Sequence, residues 1–158
     1  MADFEKIHEV VTVDVTTGDA VTPKEVDFIF RKLFSDESME LLTYPLETIL
    51  AEKLETILSR GIATTRPRDF YDVYILSKMK FEQIDFQTLK KAFRNTKERR
   101  QSVFEMKDYD LILSEISYSD FQRNLWNKYQ DQYKYAKNIN FDDVINAVKE
   151  LSTVISPL

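Results

Sequence analysis

The chain has 158 residues, 43% of them hydrophobic, enough to bury one sizeable core as a single domain or a closely packed pair of subdomains. Its 22 Lys and Arg stand against 27 Asp and Glu, and the formal net charge of -5 excludes a global attraction to nucleic acid or anionic lipid, leaving only local patches. With no Cys there is no disulfide, thiolate metal site or thiol nucleophile, and with only two Gly and four Pro a turn-rich all-β fold is disfavoured.

The opening MADFEKIHEV lacks the basic and apolar regions of an export signal, so a cytoplasmic location without membrane contact is expected. Residues 9–16, EVVTVDVT, read as a strand with Val11, Val13 and Val15 on one face and Asp14 beside Thr12 on the other. Thr17-Gly18-Asp19 carries turn chemistry, which makes Asp19 a turn residue before a ligand. Phe28, Phe30 and Phe34 alternate with Ile29, Arg31 and Leu33, and Ser35 to Ser38 intervene before an apolar run from Met39 to Tyr44, which predicts a β-hairpin.

From Pro45 the period becomes helical, with Leu46, Ile49, Leu50, Leu54, Ile57 and Leu58 in one stripe and Gly61 as the stop. A second helix starts at Pro67, with Thr65 or Arg66 near its cap, and runs to about Lys78. Further helices are predicted at about 85–101, 104–116, 119–136 and 141–154, with Ser119 opening a capping box and Asn140 capping the last. The expected fold is α+β and mainly helical: a small three-stranded sheet remnant in residues 1–44, then a helical bundle in 45–158.

Lys53 occupies a position where the first helix calls for an apolar side chain, and an ammonium leaving water needs an anion beside it. Asp69 and Asp72 share the inward face of the second helix with Val73 and Leu76, and are the obvious partners. Spacing alone leaves two meanings open: a buried ion pair that fixes helix packing, or a lysine that neutralises nucleotide phosphate with a carboxylate orienting it. His8 is the sole histidine and receives no role. Lys90, Lys91, Arg94, Lys97, Arg99 and Arg100 cluster on one predicted helix, either as a solvated face or as a phosphate-backbone contact surface. The aromatic series Phe121, Trp126, Tyr129, Tyr133 and Tyr135 reads as core or interface.

Three strings, VTVDVTTGDAVTP, YPLETILAEKLETILSR and TTRPRDFYDVYIL, resemble consecutive blocks of the AbiEii/AbiGii-type nucleotidyltransferase toxins of type IV toxin-antitoxin systems, a resemblance covering residues 9–76. By position it implies that Asp14 is the third, metal-binding carboxylate of a polymerase-β-like transferase site, Lys53 the lysine of the third motif and Asp69 the aspartate of the fourth. Asp72 and Arg68 lie beside them as nucleotide-binding residues. Arg68 stands where many members carry Lys, keeping the charge while changing its geometry. The cofactors implied are magnesium and a nucleoside triphosphate, and the acceptor is a tRNA or a protein.

The family's first motif, a Gly-Ser turn followed by Asp-x-Asp, does not occur in this sequence. Two-metal transfer needs several acidic ligands, so the chain is expected to be the later part of the enzyme and inactive alone. The competing expectation is a non-catalytic binding module that pairs with an antitoxin, a missing transferase half or a second copy through an exposed sheet edge.

Overall fold

The computed structural model describes residues 2–4, 7–10, 13, 15 and 17–156. Strands β1 (Ala2–Phe4) and β2 (Ile7–Glu9) pair antiparallel, Ala2 opposite Glu9. Strands β3 (Val26–Arg31) and β4 (Ser38–Thr43) form a second antiparallel pair, from Val26 opposite Thr43 to Arg31 opposite Ser38. Among the described residues these are separate two-stranded sheets, and the expected three-stranded sheet is not seen among them. The strand expected over 9–16 ends at Glu9 in the described residues, and Val13 and Val15 lie exposed outside it.

Six helices follow: α1 (Leu46–Arg60), α2 (Pro67–Lys80), α3 (Phe86–Arg100), α4 (Tyr109–Tyr118), α5 (Asp120–Gln132) and α6 (Phe141–Ile155). The stripe on α1 buries Leu50, Leu54 and Ile57 completely, and that on α6 buries Val144, Val148 and Leu151. Pro67 occupies the first turn of α2, where its missing N–H costs nothing. Asp85 caps α3 by accepting from Thr88 N at 2.7 Å. The fourth predicted helix begins later than expected, after a 3-10 turn at Met106–Asp108, and the fifth stops at Gln132, before another at Lys134–Ala136.

Ser119 caps α5 through Gln122 N at 3.4 Å, but the capping box is only half formed. The Gln122 side chain instead donates to Ile62 O at 2.7 Å and Thr64 O at 2.8 Å, fastening α5 to the connection between α1 and α2. Asn140 precedes α6 without a side-chain bond to its backbone.

Helix α1 packs on α3 and α2, and α2 packs on α6, which also meets α4 and α3. Trp126 and Phe70 are the largest fully buried side chains, and the indole is satisfied by donating to Ile139 O at 3.0 Å. Phe121 and Tyr135 remain about half exposed, at the edge of the aromatic cluster. The segment before the second hairpin is tied to two helices: Thr22 N donates to Thr48 Oγ1, Thr48 donates back to Thr22 O, and Asn95 Nδ2 donates to Thr22 Oγ1. Gly18 has φ +81° and lies under Arg99, whose Nη2 would sit 2.5 Å from an added Cβ, so this turn admits only glycine comfortably. No helix among the described residues is long and apolar enough to cross a membrane.

Candidate functional site

The inward lysine of α1 meets both expected acids. Lys53 Nζ donates to Asp69 Oδ1 at 2.7 Å and lies 2.8 Å from Asp72 Oδ2. The i, i+3 spacing on α2 aims both carboxylates at α1, where the stripe position aims Lys53 back. The Asp69 side chain is 3% exposed, while Lys53 and Asp72 keep 23% each, so the cluster is a shallow, half-open one. Burial by itself would lower the Lys53 pKa. The hydrogen bonds and charges of Asp69 and Asp72 outweigh it and raise the pKa above its ordinary value, keeping the ammonium charged.

Arginines at the start of α2 complete the cluster. Arg66 Nε lies 2.8 Å from Asp69 Oδ2, and Arg68 Nε lies 3.9 Å from Asp72 Oδ2. The first is a close ion contact without hydrogen-bond alignment, so Asp69 Oδ2 is a buried acceptor whose hydrogen-bond capacity is unspent. Three cations surround two carboxylates, an arrangement with net positive charge opening onto solvent through the exposed Arg66 and Arg68. Asp69 also sits in the first turn of its helix, where the backbone dipole favours an anion.

A second network lies further along α1. Glu55, 2% exposed, accepts from Arg100 Nη1 and from Ser102 Oγ, the latter at 2.5 Å, and Arg100 also donates to Thr56 Oγ1 at 2.8 Å. Arg66 borders the cleft beside this network as well as the Lys53 cluster. The basic residues of α3 are therefore not uniformly solvated: Arg99 donates to Gly18 O at 2.7 Å, Lys90 to Ser156 O at 3.2 Å, and Lys97 lies 5.1 Å from the Phe104 ring centre.

The structure thus brings together Lys53, Asp69, Asp72 and Arg68. Asp14 lies outside the described residues. Asp19 accepts from the Tyr44 hydroxyl at 2.9 Å, in keeping with a turn residue. Sequence reasoning gave no site role to Glu55, Arg66 or Gln122, and placed Arg100 only within the basic cluster of the third predicted helix. Glu55 could have been found, because Thr48, Ala51, Glu55 and Leu58 recur at helical spacing and share a buried face.

Residues 3–147 match the protein family described as nucleotidyl transferase AbiEii toxin, type IV TA system. The chain belongs to that family. The match runs well beyond the three blocks ending at residue 76 and reaches into α6, so the AbiEii pattern includes the later helices and not the Lys53 region alone. No curated protein and no solved structure matches this AbiEii chain significantly.

The family's reaction implies a metal, and the described residues do not fit one. Among them no group of three or more His, Asp or Glu side chains could hold an ion, and Asp69 and Asp72 are both engaged by Lys53. No chemical step can be assigned to a metal on this chain's described side chains.

Proposed function

We propose that this AbiEii chain supplies the phosphate-recognition part of a cytoplasmic nucleotidyltransferase toxin, which moves a nucleotide from a nucleoside triphosphate onto a tRNA or protein acceptor. The observation that supports it is the half-open Lys53 cluster, where an ammonium kept charged by Asp69 and Asp72 lies beside Arg66 and Arg68. In this reading Lys53 meets the nucleotide phosphates, Asp69 positions its ammonium, and Arg68 with Asp72 borders the bound nucleotide. Asp14 contributes to the metal site. The remaining acidic ligands come from outside this sequence, which has no Gly-Ser turn with a following Asp-x-Asp, and the chain alone transfers little or no nucleotide.

The test is calorimetric titration with magnesium and each nucleoside triphosphate, using wild type, Lys53→Ala and Arg68→Ala. Arg68 is 77% exposed in its side chain, so its variant keeps the fold and isolates phosphate binding. Saturable binding weakened in both variants is the expected result; no binding by folded wild-type protein, or equal binding by all three, overturns the reading.

A second reading is docking without catalysis, onto an antitoxin, a transferase half or a second copy. It is favoured by the β3–β4 hairpin, whose strands are exposed on both faces and whose turn presents Leu33 at 85% and Phe34 at 99% exposure. A lone two-stranded ribbon with that much apolar surface gains by being covered.

A further inference from the structure

We propose that a track of basic side chains, running from the end of α1 along α3, binds the phosphodiester groups of a single-stranded polynucleotide. Its first part is an open cleft of about 520 Å³ lined by Arg60, Arg66 and Arg100, together with the hydroxyl residues Thr56 and Ser59. Its second is a hollow of about 160 Å³ with Lys90, Arg94 and Lys97 around an apolar floor of Phe93, Met106 and Ile155. Between them Phe93 and Phe104 pack edge to face, with ring centres 6.3 Å apart, and Lys97 lies over the Phe104 ring. Phe93, itself buried, borders the hollow and the partly buried Phe104 borders the cleft, so the two depressions lie on either side of one aromatic pair.

The form of the track selects its ligand. Lys90 and Arg100 are ten positions apart on one helix, about 15 Å at 1.5 Å per residue. That is roughly four nucleotides at 3.4 Å each along a stacked strand, and too long for one phosphate. Guanidinium forks with neighbouring hydroxyls match phosphate oxygens, and Val103, 93% exposed beside Phe104, gives the cleft an apolar wall against which a base can lie. Part of the track is preorganised, since Glu55 and Thr56 hold Arg100 and Asp69 faces Arg66. The rest is available: among the described residues the Arg60 and Arg94 side chains make no hydrogen bond or ion pair. Because Arg66 borders both this cleft and the Lys53 cluster, a strand on the track would reach the proposed transfer site. Only that acceptor role rests on the transferase reading.

The test is fluorescence anisotropy of labelled single-stranded RNA and DNA of one sequence, without nucleoside triphosphate, against wild type, Arg60→Ala, Arg94→Ala and the control Lys128→Ala. Circular dichroism establishes that each variant is folded. Expected is saturable binding, weakened about tenfold by each of the first two substitutions, with the logarithmic salt slope falling by about 0.7 per lost contact. Lys128→Ala, on exposed α5 surface outside the track, leaves binding unchanged. Preference between the RNA and DNA arms identifies the source of the strand. The proposal is overturned if wild type binds neither, if Arg60→Ala and Arg94→Ala bind like wild type, or if polyglutamate competes as well as unlabelled oligonucleotide. Loss of this binding with nucleoside triphosphate binding intact removes the track alone; the reverse removes the transferase reading alone.

Discussion

Replacing Lys53 with Met keeps the length and helix preference of the side chain and removes only its ammonium, so it measures what that charge does for the fold. Asp69, whose side chain is 3% exposed, would be left facing Arg66 across a contact without hydrogen-bond alignment, with Asp72 beside it. Removing one partner of a fully buried pair costs about 3–5 kcal/mol. Because Lys53 and Asp72 each keep 23% side-chain exposure, solvent screens part of that cost, and about 3 kcal/mol is expected. With a urea dependence of about 2 kcal/mol per molar, the midpoint should fall by about 1.5 M. Equilibrium unfolding of Lys53→Met, Asp69→Asn and the double variant forms the assay. The double should cost less than the two singles together, by about 1–3 kcal/mol, since neither group is left with an unmatched charge. Singles within about 0.5 kcal/mol of wild type, or strictly additive costs, would refute the view that this cluster holds α1 against α2.

Gln122→Ala removes the donor shared by Ile62 O and Thr64 O, and with both carbonyls in a buried setting a loss of about 2 kcal/mol is expected in urea unfolding. The raised Lys53 pKa stabilises the fold fully below the unfolded value of 10.5, and that stability is lost as pH rises through the higher folded value. Tyr44, where the hydrogen bond to Asp19 leads, and Tyr71, where burial leads, are raised too and act in the same direction. Stability measured across alkaline pH should therefore fall above about pH 10, and the gap between wild type and Lys53→Met should narrow there. Leu33→Asp with Phe34→Asp should leave unfolding stability within about 0.5 kcal/mol, because both side chains are already in water. In sedimentation equilibrium it should abolish any self-association of the wild type; a wild-type monomer at every concentration removes the second-copy version of docking.

The helices were legible wherever a continuous apolar stripe met a clear start or stop. Pro67 and Gly61 set two such boundaries, and α6 carries its stripe over the whole of Phe141–Ile155. Where the ends depended on 3-10 turns, as at Met106–Asp108 and Lys134–Ala136, periodicity ran the helix through the break. Alternation located the first strand of the second hairpin and an apolar run the second, but neither pattern says which strand pairs with which. Hence the pairing of β2 with the strand just before it could not be read from the pattern.

At the site, one misfit residue made the reading possible. A lysine at a core position demands an anion, and only two acids on the next helix face the same way, so Lys53, Asp69 and Asp72 can be joined from the sequence alone. Glu55 with Arg100 poses the same electrostatic problem, yet its solution spans 45 residues and a different helix, and an arginine among five other basic residues gives no sign that it alone turns inward. Arg66 was hidden for a further reason: its value lies in serving two places at once. A guanidinium that turns Nε toward Asp69 still has two further nitrogens to offer a second partner, which a lysine ammonium at the same position could not do with one nitrogen. An anion in that cleft would draw on the same charge that faces Asp69 Oδ2, and Asp69 Oδ1 is the oxygen that holds Lys53. Binding on the track and the charge balance around Lys53 are therefore linked through a single side chain.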